Sequence, residues 1–274
     1  MSKIDFPGMT PELQAYVDFD PSSVEGGYAE LRRLRKLVDP KLFQAYNRAR
    51  IDARFVNEKP DSRREHLSPS GKFKLVTSRF ETGPNTWAYA QGKVYAMGSD
   101  IPIAVVNRNY GAFPFLFVED HPNGHSYLIC GEDYQGQTVI ELDTGLRRDY
   151  LPEEAHDGGG FCWASYTFHA DSKLLVVDGC YWGASYDFRF YDFSDPMSGW
   201  PLLELPDSEN YITSGPKAPT FEADGTIHTY EPDFDDDDVV AAVKVWRREG
   251  LKLVLIREDV TEAEQERRTA EGGV

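Results

Sequence analysis

Two short segments carry the residues best suited to chemistry. Gly131-Glu132-Asp133-Tyr134-Gln135-Gly136 and Asp178-Gly179-Cys180-Tyr181-Trp182-Gly183 each set a tyrosine two residues before a glycine, with acids close by. Tyrosine and tryptophan faces stack on sugars or hold cationic groups. Paired carboxylates supply the general acid and base of sugar cleavage. The candidate ligand- or partner-binding set is therefore Glu132, Asp133, Tyr134, Asp178, Tyr181 and Trp182. The structural alternative is that the tyrosines pack between neighbouring units while the glycines serve turns.

Other clusters are weighed against specific spacings. Asp235, Asp236, Asp237 and Asp238 form a carboxylate run that offers hard oxygens to Ca²⁺, but without the glycine and distant glutamate of an EF-hand. A solvated hairpin tip accounts for the run equally simply. His156-Asp157-Gly158-Gly159-Gly160 is similar to a lipase oxyanion loop, yet no Gly-x-Ser-x-Gly pentapeptide accompanies it. The six histidines lack zinc-ligand spacing, and the three cysteines follow no CxxC pattern. No phosphate-loop or dinucleotide fingerprint occurs. The expectation is no cofactor and no transition metal, with an enzymatic role left open.

Such residues need elements to position them. Thr10-Pro11-Glu12 reads as a helix start. Leu31, Leu34, Leu37 and Val38 form an apolar stripe, with Arg32, Arg33, Arg35 and Lys36 expected on the other faces. Asp39-Pro40 interrupts, and Leu42, Phe43, Tyr46 and Ala49 resume the helical period. Beyond Leu67 short β-rich runs alternate with turns. A four-residue marker recurs there: Ser68-Pro69-Ser70-Gly71, His121-Pro122-Asn123-Gly124, His169-Ala170-Asp171-Ser172 and Glu222-Ala223-Asp224-Gly225. The last three copies each sit between two strands and are followed by two more. The expected strands are 114–119, 125–132, 138–142 and 146–151; then 161–168, 173–178, 186–193 and 201–205; then 217–221, 226–231, 239–246 and 251–256. The first copy departs from the pattern, with an added hairpin expected at Gln91-Gly92-Lys93.

A four-stranded antiparallel unit at a period near fifty residues is a propeller blade. The marker resembles the strand-to-strand turn of blades in the beta-transducin-type superfamily, over residues 67–258, although no Trp-Asp dipeptide closes a blade. The resemblance implies a mainly β fold, a small propeller-like array of four or five blades; a β-sandwich is the alternative. The expected organisation is a helical segment at 1–66 docked on the body, a β-domain at 67–260, and a short C-terminal helix or tail at 261–274 opened by the capping box Thr261 to Glu264.

The formal charge of −17 argues against nucleic-acid and anionic-membrane binding. It is uneven: residues 28–64 carry eleven Lys/Arg against five acids. No stretch resembles a signal h-region or spans a bilayer, and three thiols suit a reducing compartment, so a cytoplasmic protein is expected. Two functions follow. One is an interaction module whose acidic, aromatic-rimmed face meets a basic protein partner, in the manner of an inhibitor or antitoxin. The other is an enzyme or binder of a small polar, sugar-like ligand at the same rim. In both, the loops after each unit's second strand form the working face.

Overall fold

The computed structural model describes residues 4–152, 154–155, 159–206, 211–233 and 238–271. The chain divides into two compact units, Met1–Leu67 with Phe73–Phe113, and Ser68–Lys72 with Pro114–Val274. Among the described residues the strands build four four-stranded antiparallel sheets, one in the first unit and three in the second. The fold is mainly β with an N-terminal helical segment, a propeller-like series of sheets rather than the two sheets of a sandwich. Among the described residues no helix is long and apolar enough to cross a membrane.

The first unit opens with helices α1 (Pro11–Asp18), α2 (Gly27–Leu37) and α3 (Pro40–Asp52). Thr10 Oγ1 accepts the Leu13 N–H, so the cap read from the sequence is formed, and Asp39 Oδ1 accepts the Leu42 N–H, so the residue read as an interruption also caps α3. Leu13, Val38, Phe43 and Tyr46 make the helical core. The stripe on α2 is shifted from its expected position. Leu37 is exposed, whereas Arg35 is buried with its guanidinium 3.7 Å from the centre of the Phe43 ring and donates to the Val38 carbonyl. A flat, weakly hydrated cation can occupy that place where an ammonium would not.

The same unit holds β1 (Arg64–Leu67), β2 (Phe73–Glu81), β3 (Ala88–Ala96) and β4 (Ala104–Arg108), paired in chain order. The hairpin expected at Gln91-Gly92-Lys93 is absent: β3 runs straight through those residues, each paired with β2. Gly92 is there for space, not for a turn. A Cβ on it would meet the Phe113 ring at 2.3 Å.

The second unit contains β5 (Leu116–Val118), β6 (Tyr127–Cys130), β7 (Gln137–Glu141) and β8 (Arg147–Tyr150). Next come β9 (Phe161–His169), β10 (Leu174–Tyr181), β11 (Tyr186–Asp192) and β12 (Ile212–Thr213). The last sheet is β13 (Thr220–Phe221), β14 (Thr226–Pro232), β15 (Val240–Glu249) and β16 (Lys252–Val260). Alternation along β10 divides its side chains between two cores. Leu175 and Val177 pack with Val118, Ile129 and Val139 of the β5–β8 sheet, and Leu174 and Val176 with Ile227, Trp246 and Leu253 of the β13–β16 sheet.

All four markers occupy turns between neighbouring antiparallel strands. Three close with a glycine N–H on the carbonyl three residues back: Gly71 on Ser68, Gly124 on His121 and Gly225 on Glu222. In the third copy the turn shifts by one residue and Lys173 takes the positive φ, 52°. Within the second compact unit the marker residues also make contacts beyond their own turns. Ser68 and Ser70 donate to Glu119, His121 stacks on Phe168, and His169 lies parallel to Phe221 at 4.1 Å. Glu119 follows β5, Phe168 lies in the last part of β9 and Phe221 ends β13. His121 donates from Nε2 to the Phe193 carbonyl and accepts the Asn123 N–H at Nδ1, which fixes its tautomer.

One expected strand is replaced. Residues 201–205 do not form the third unit's fourth strand; Leu202 bridges Tyr191, Glu204 bridges Lys252 of the next sheet, and β12 completes the edge. β15 also runs on to Glu249, through residues expected to turn, so that the turn lies at Gly250 and Leu251.

Helix α4 (Glu262–Glu271) follows β16. Thr261 Oγ1 accepts the Glu264 N–H, but Glu264 does not return the bond as a capping box would. Its carboxylate instead takes Arg267 and Arg268, and Arg268 also reaches Glu258 on β16. Hydrogen bonds from Arg267 and then Arg268 hold the Glu264 carboxyl down at about 2. A depressed carboxyl stabilises the fold above its unfolded value and loses that contribution as pH falls towards the folded one. Amide protection in α4, taken relative to the intrinsic exchange rate at each pH, is therefore expected to fall between the ordinary glutamate range and pH 2. Unchanged α4 protection across that window would show that these pairs do not hold the helix.

Candidate functional site

The two repeated segments do come together. Tyr134 and Trp182 meet with ring centroids 5.8 Å apart, and the Tyr134 carbonyl accepts the Trp163 N–H. Trp182 remains 62% exposed and Tyr181 44%. Their glycines serve different ends. Gly183 adopts φ 81° in the β10–β11 turn, whereas Gly136 makes room for the Tyr150 carbonyl, 2.8 Å from where its Cβ would stand.

Each acid has partners of its own. Glu132 is ion-paired with Arg147 at 2.6 Å, and Arg147 also holds Asp149. Thr138, fully buried, donates to Asp149 and accepts the Glu132 N–H. Burial opposes the charge on Arg147, but Asp149 and Glu132 outweigh it and hold its pKa above the ordinary arginine value. Asp133 accepts the Gln135 N–H in a local turn. Asp178 lies within β10, where burial raises its pKa against the Ser214 hydroxyl and the Gly179 N–H. Across the ladder Asp187 is raised too, by burial first; Arg189 opposes the shift and Asp178 adds to it. Of the acidic run, Asp235, Asp236 and Asp237 lie outside the described residues, as do His156, Asp157 and Gly158; Asp238 is exposed. Among the described residues no group of three His, Cys, Asp or Glu side chains is placed to hold a metal.

The concave feature lies beside Tyr181. A cavity of about 720 Å³ opens between the β5–β8 and β9–β12 sheets. Gln137, Val139, Arg148 and Tyr150 line one side, and Phe161, Trp163, Tyr181, Arg189 and Tyr191 the other, with Trp200 beyond. Of the six residues singled out from the sequence, only Tyr181 lines it. The aromatic wall is built from two groups of rings in contact. Trp163 lies 4.9 Å from Tyr191 and 6.0 Å from Trp200, and Phe161 meets Tyr181 edge-on at 5.7 Å.

Arg189 is seated against that wall. Its guanidinium lies 4.0 Å from the Phe161 ring centre and donates to the Tyr181 hydroxyl at 2.5 Å. Burial pushes the Tyr191 phenol up to about 12 despite Arg189, so it stays neutral. Asp192, Asp195 and Arg148 in the lining have local duties. Asp192 pairs with Arg248 at 2.8 Å and accepts from Ser194, Asp195 takes the Ser198 hydroxyl, and Arg148 donates to the Met197 carbonyl. A second cavity of about 650 Å³ shares Tyr181, Arg189 and Leu202 with the first and includes Asp187. Aromatic faces beside a planar five-donor cation suit a flat, oxygen-bearing ligand. Arg189 and Tyr191 were missed in the sequence; the period-two spacing of Asp187, Arg189 and Tyr191 was the available signal.

No protein-family model matches the chain. It is 37% identical over 144 residues to an uncharacterized protein of Acanthamoeba polyphaga mimivirus, a match that covers 53% of the chain and 55% of that protein. It is 30% identical over 125 residues to dipeptidyl-peptidase 5 of Aspergillus fumigatus, covering 45% of the chain and 17% of the peptidase. The chain thus spans about half the length of the first relative and a smaller part of the second. Among solved structures, the periplasmic gluconolactonase of Pseudomonas aeruginosa aligns with 74% of the chain and 58% of its own, at 16% identity and a TM-score of 0.37. At that score the likeness carries no argument about function.

Proposed function

We propose that this chain binds a small polar, ring-bearing ligand of sugar-like character in the cleft between the β5–β8 and β9–β12 sheets. The observation that carries this reading is the seating of Arg189 between Phe161 and the Tyr181 hydroxyl, at the edge of a cavity of about 720 Å³. Small-molecule sites usually measure ~300–1,000 Å³, with apolar walls and a few fixed polar groups. The aromatic side chains supply stacking planes, and Arg189, Gln137 and Ser194 supply hydrogen-bonding groups. The peptidase name of the fungal relative is not carried over: that protein is matched over 17% of its length, and this chain holds no Gly-x-Ser-x-Gly pentapeptide.

The test is a ligand-observed NMR screen of neutral sugars, carboxylated sugars and aromatic carboxylates. Hits are then titrated against variants whose melting curves match the parent chain. Arg189→Met is expected to weaken binding by about tenfold or more, the worth of one charge-assisted hydrogen bond. Trp182→Ala, outside the cavity lining, should change affinity by no more than about twofold. A screen without hits, or hits that depend on Trp182 and ignore Arg189, would remove the cleft as the site. The second outcome would favour the competing reading, a basic protein partner on the exposed Tyr134–Trp182 rim. That reading draws its support from the charge of −17 and the exposure of Trp182.

A further inference from the structure

Cys162 on β9 and Cys180 on β10 are direct partners in the antiparallel ladder, and neither forms a disulfide. Residues opposed in this way have Cα atoms ~4.5–5.5 Å apart, and their side chains leave the sheet on the same face. Disulfides span Cα separations of ~4.4–6.8 Å. Phe161, Trp163 and Tyr181 turn towards the cleft. One step along each strand, Cys162 and Cys180 therefore take the opposite face together. Both are partly exposed, whereas Cys130 is fully buried. The Cys162 thiol makes a long, weak donation to the Gly160 carbonyl at 3.9 Å.

We propose that Cys162 and Cys180 are a reversible dithiol–disulfide modification site, oxidised by low-molecular-weight disulfides. One thiolate attacks a sulfur of the small disulfide. A mixed disulfide forms and one small thiolate leaves. The second cysteine thiolate then attacks the protein-side sulfur, forming the Cys162–Cys180 bond and expelling the second small thiolate. The two protons lost by the cysteines end on the two released thiols, so the small disulfide is reduced by two electrons as the pair is oxidised. The intramolecular step is fast because the ladder holds the partners together. The bond would tie β9 to β10 directly behind Phe161 and Tyr181, independently of whether the cleft binds the proposed ligand.

The sequence makes the test clean, because trypsin places Cys130, Cys162 and Cys180 in three different peptides, 109–147, 149–173 and 174–189. The folded full chain is incubated with oxidised glutathione, quenched in acid, denatured, alkylated and digested without reduction. The expected product is a monomeric chain in which 149–173 is linked to 174–189, while Cys130 is alkylated. Dithiothreitol should return both peptides to the alkylatable form. In Cys162→Ser the link should vanish and Cys180 should carry glutathione instead, which shows that the variant still exposes its thiol. Stable glutathione on both cysteines of the parent chain, links that involve Cys130, or links only between chains would each overturn the proposal.

Discussion

Replacing Arg147 with methionine is expected to destabilise the protein by about 2–4 kcal/mol, although Arg147 touches neither cavity. Its removal leaves Glu132 and Asp149 facing a shared gap, with side chains 16% and 15% exposed. Uncompensated charges in such surroundings typically cost ~3–5 kcal/mol when fully buried, and the residual exposure here lowers that figure. Urea denaturation should show the loss as a lower midpoint at an unchanged slope. Glu132→Gln in the Arg147→Met background should recover part of it, because one of the two stranded charges is then gone. If Arg147→Met costs less than about 0.5 kcal/mol, Glu132 is better solvated than its ion pair implies, and it returns as an available rim carboxylate.

That prediction follows from what a linear sequence conveys about an acid. Glu132 and Asp133 sit beside a tyrosine and a glycine in a loop, and nothing local shows that Arg147, on the far strand of the same sheet, has claimed one of them. Features set within a few residues were legible. Thr10 caps its helix because capping is a local hydrogen bond. Three of the markers lie in turns because a left-handed glycine and a short polar side chain specify a turn wherever they occur. The repeat then disclosed sheets of four strands. Features set by packing were not legible. Arg35 is buried because Phe43 of another helix supplies its ring, and Gly92 lies in a strand because Phe113 arrives over it. The irregular edge of the third unit is also a tertiary matter: Leu202 pairs with its own sheet while Glu204 pairs with the next. The cleft beside it joins side chains from two sheets, so of the residues chosen from repeated loops only Tyr181 reaches it.

The largest effect is expected at Gly179. A Cβ there would stand 2.1 Å from the Cys162 carbonyl oxygen and 2.7 Å from the Phe161 ring. The ring could swing aside, but the oxygen belongs to the backbone of the paired strand. The ladder is already irregular between Asp178 and Gly179, so little slack remains to absorb the contact. Gly179→Ala should therefore force β9 away from β10 at this end. The cost is expected to reach about 3 kcal/mol or more, at the upper end for overpacking because backbone rather than side chain must yield. Hydrogen exchange should locate the damage at 161–163 and 179–181, with the pairing of Leu174 and Leu175 to β9 retained. Phe161 would move with its strand, Arg189 would lose the ring it lies on, and ligand binding in the cleft should weaken beyond what the stability loss explains. Cys162 and Cys180 would part as well, so oxidised glutathione should leave mixed disulfides in place of the cross-link. Gly183→Ala is the control: beyond its two chain neighbours no heavy atom lies within 4 Å of its added Cβ, and its φ of 81° limits the damage to local turn strain of about 1 kcal/mol. If the two variants melt alike and exchange alike, the close approach of β9 to β10 is not what shapes this wall of the cleft.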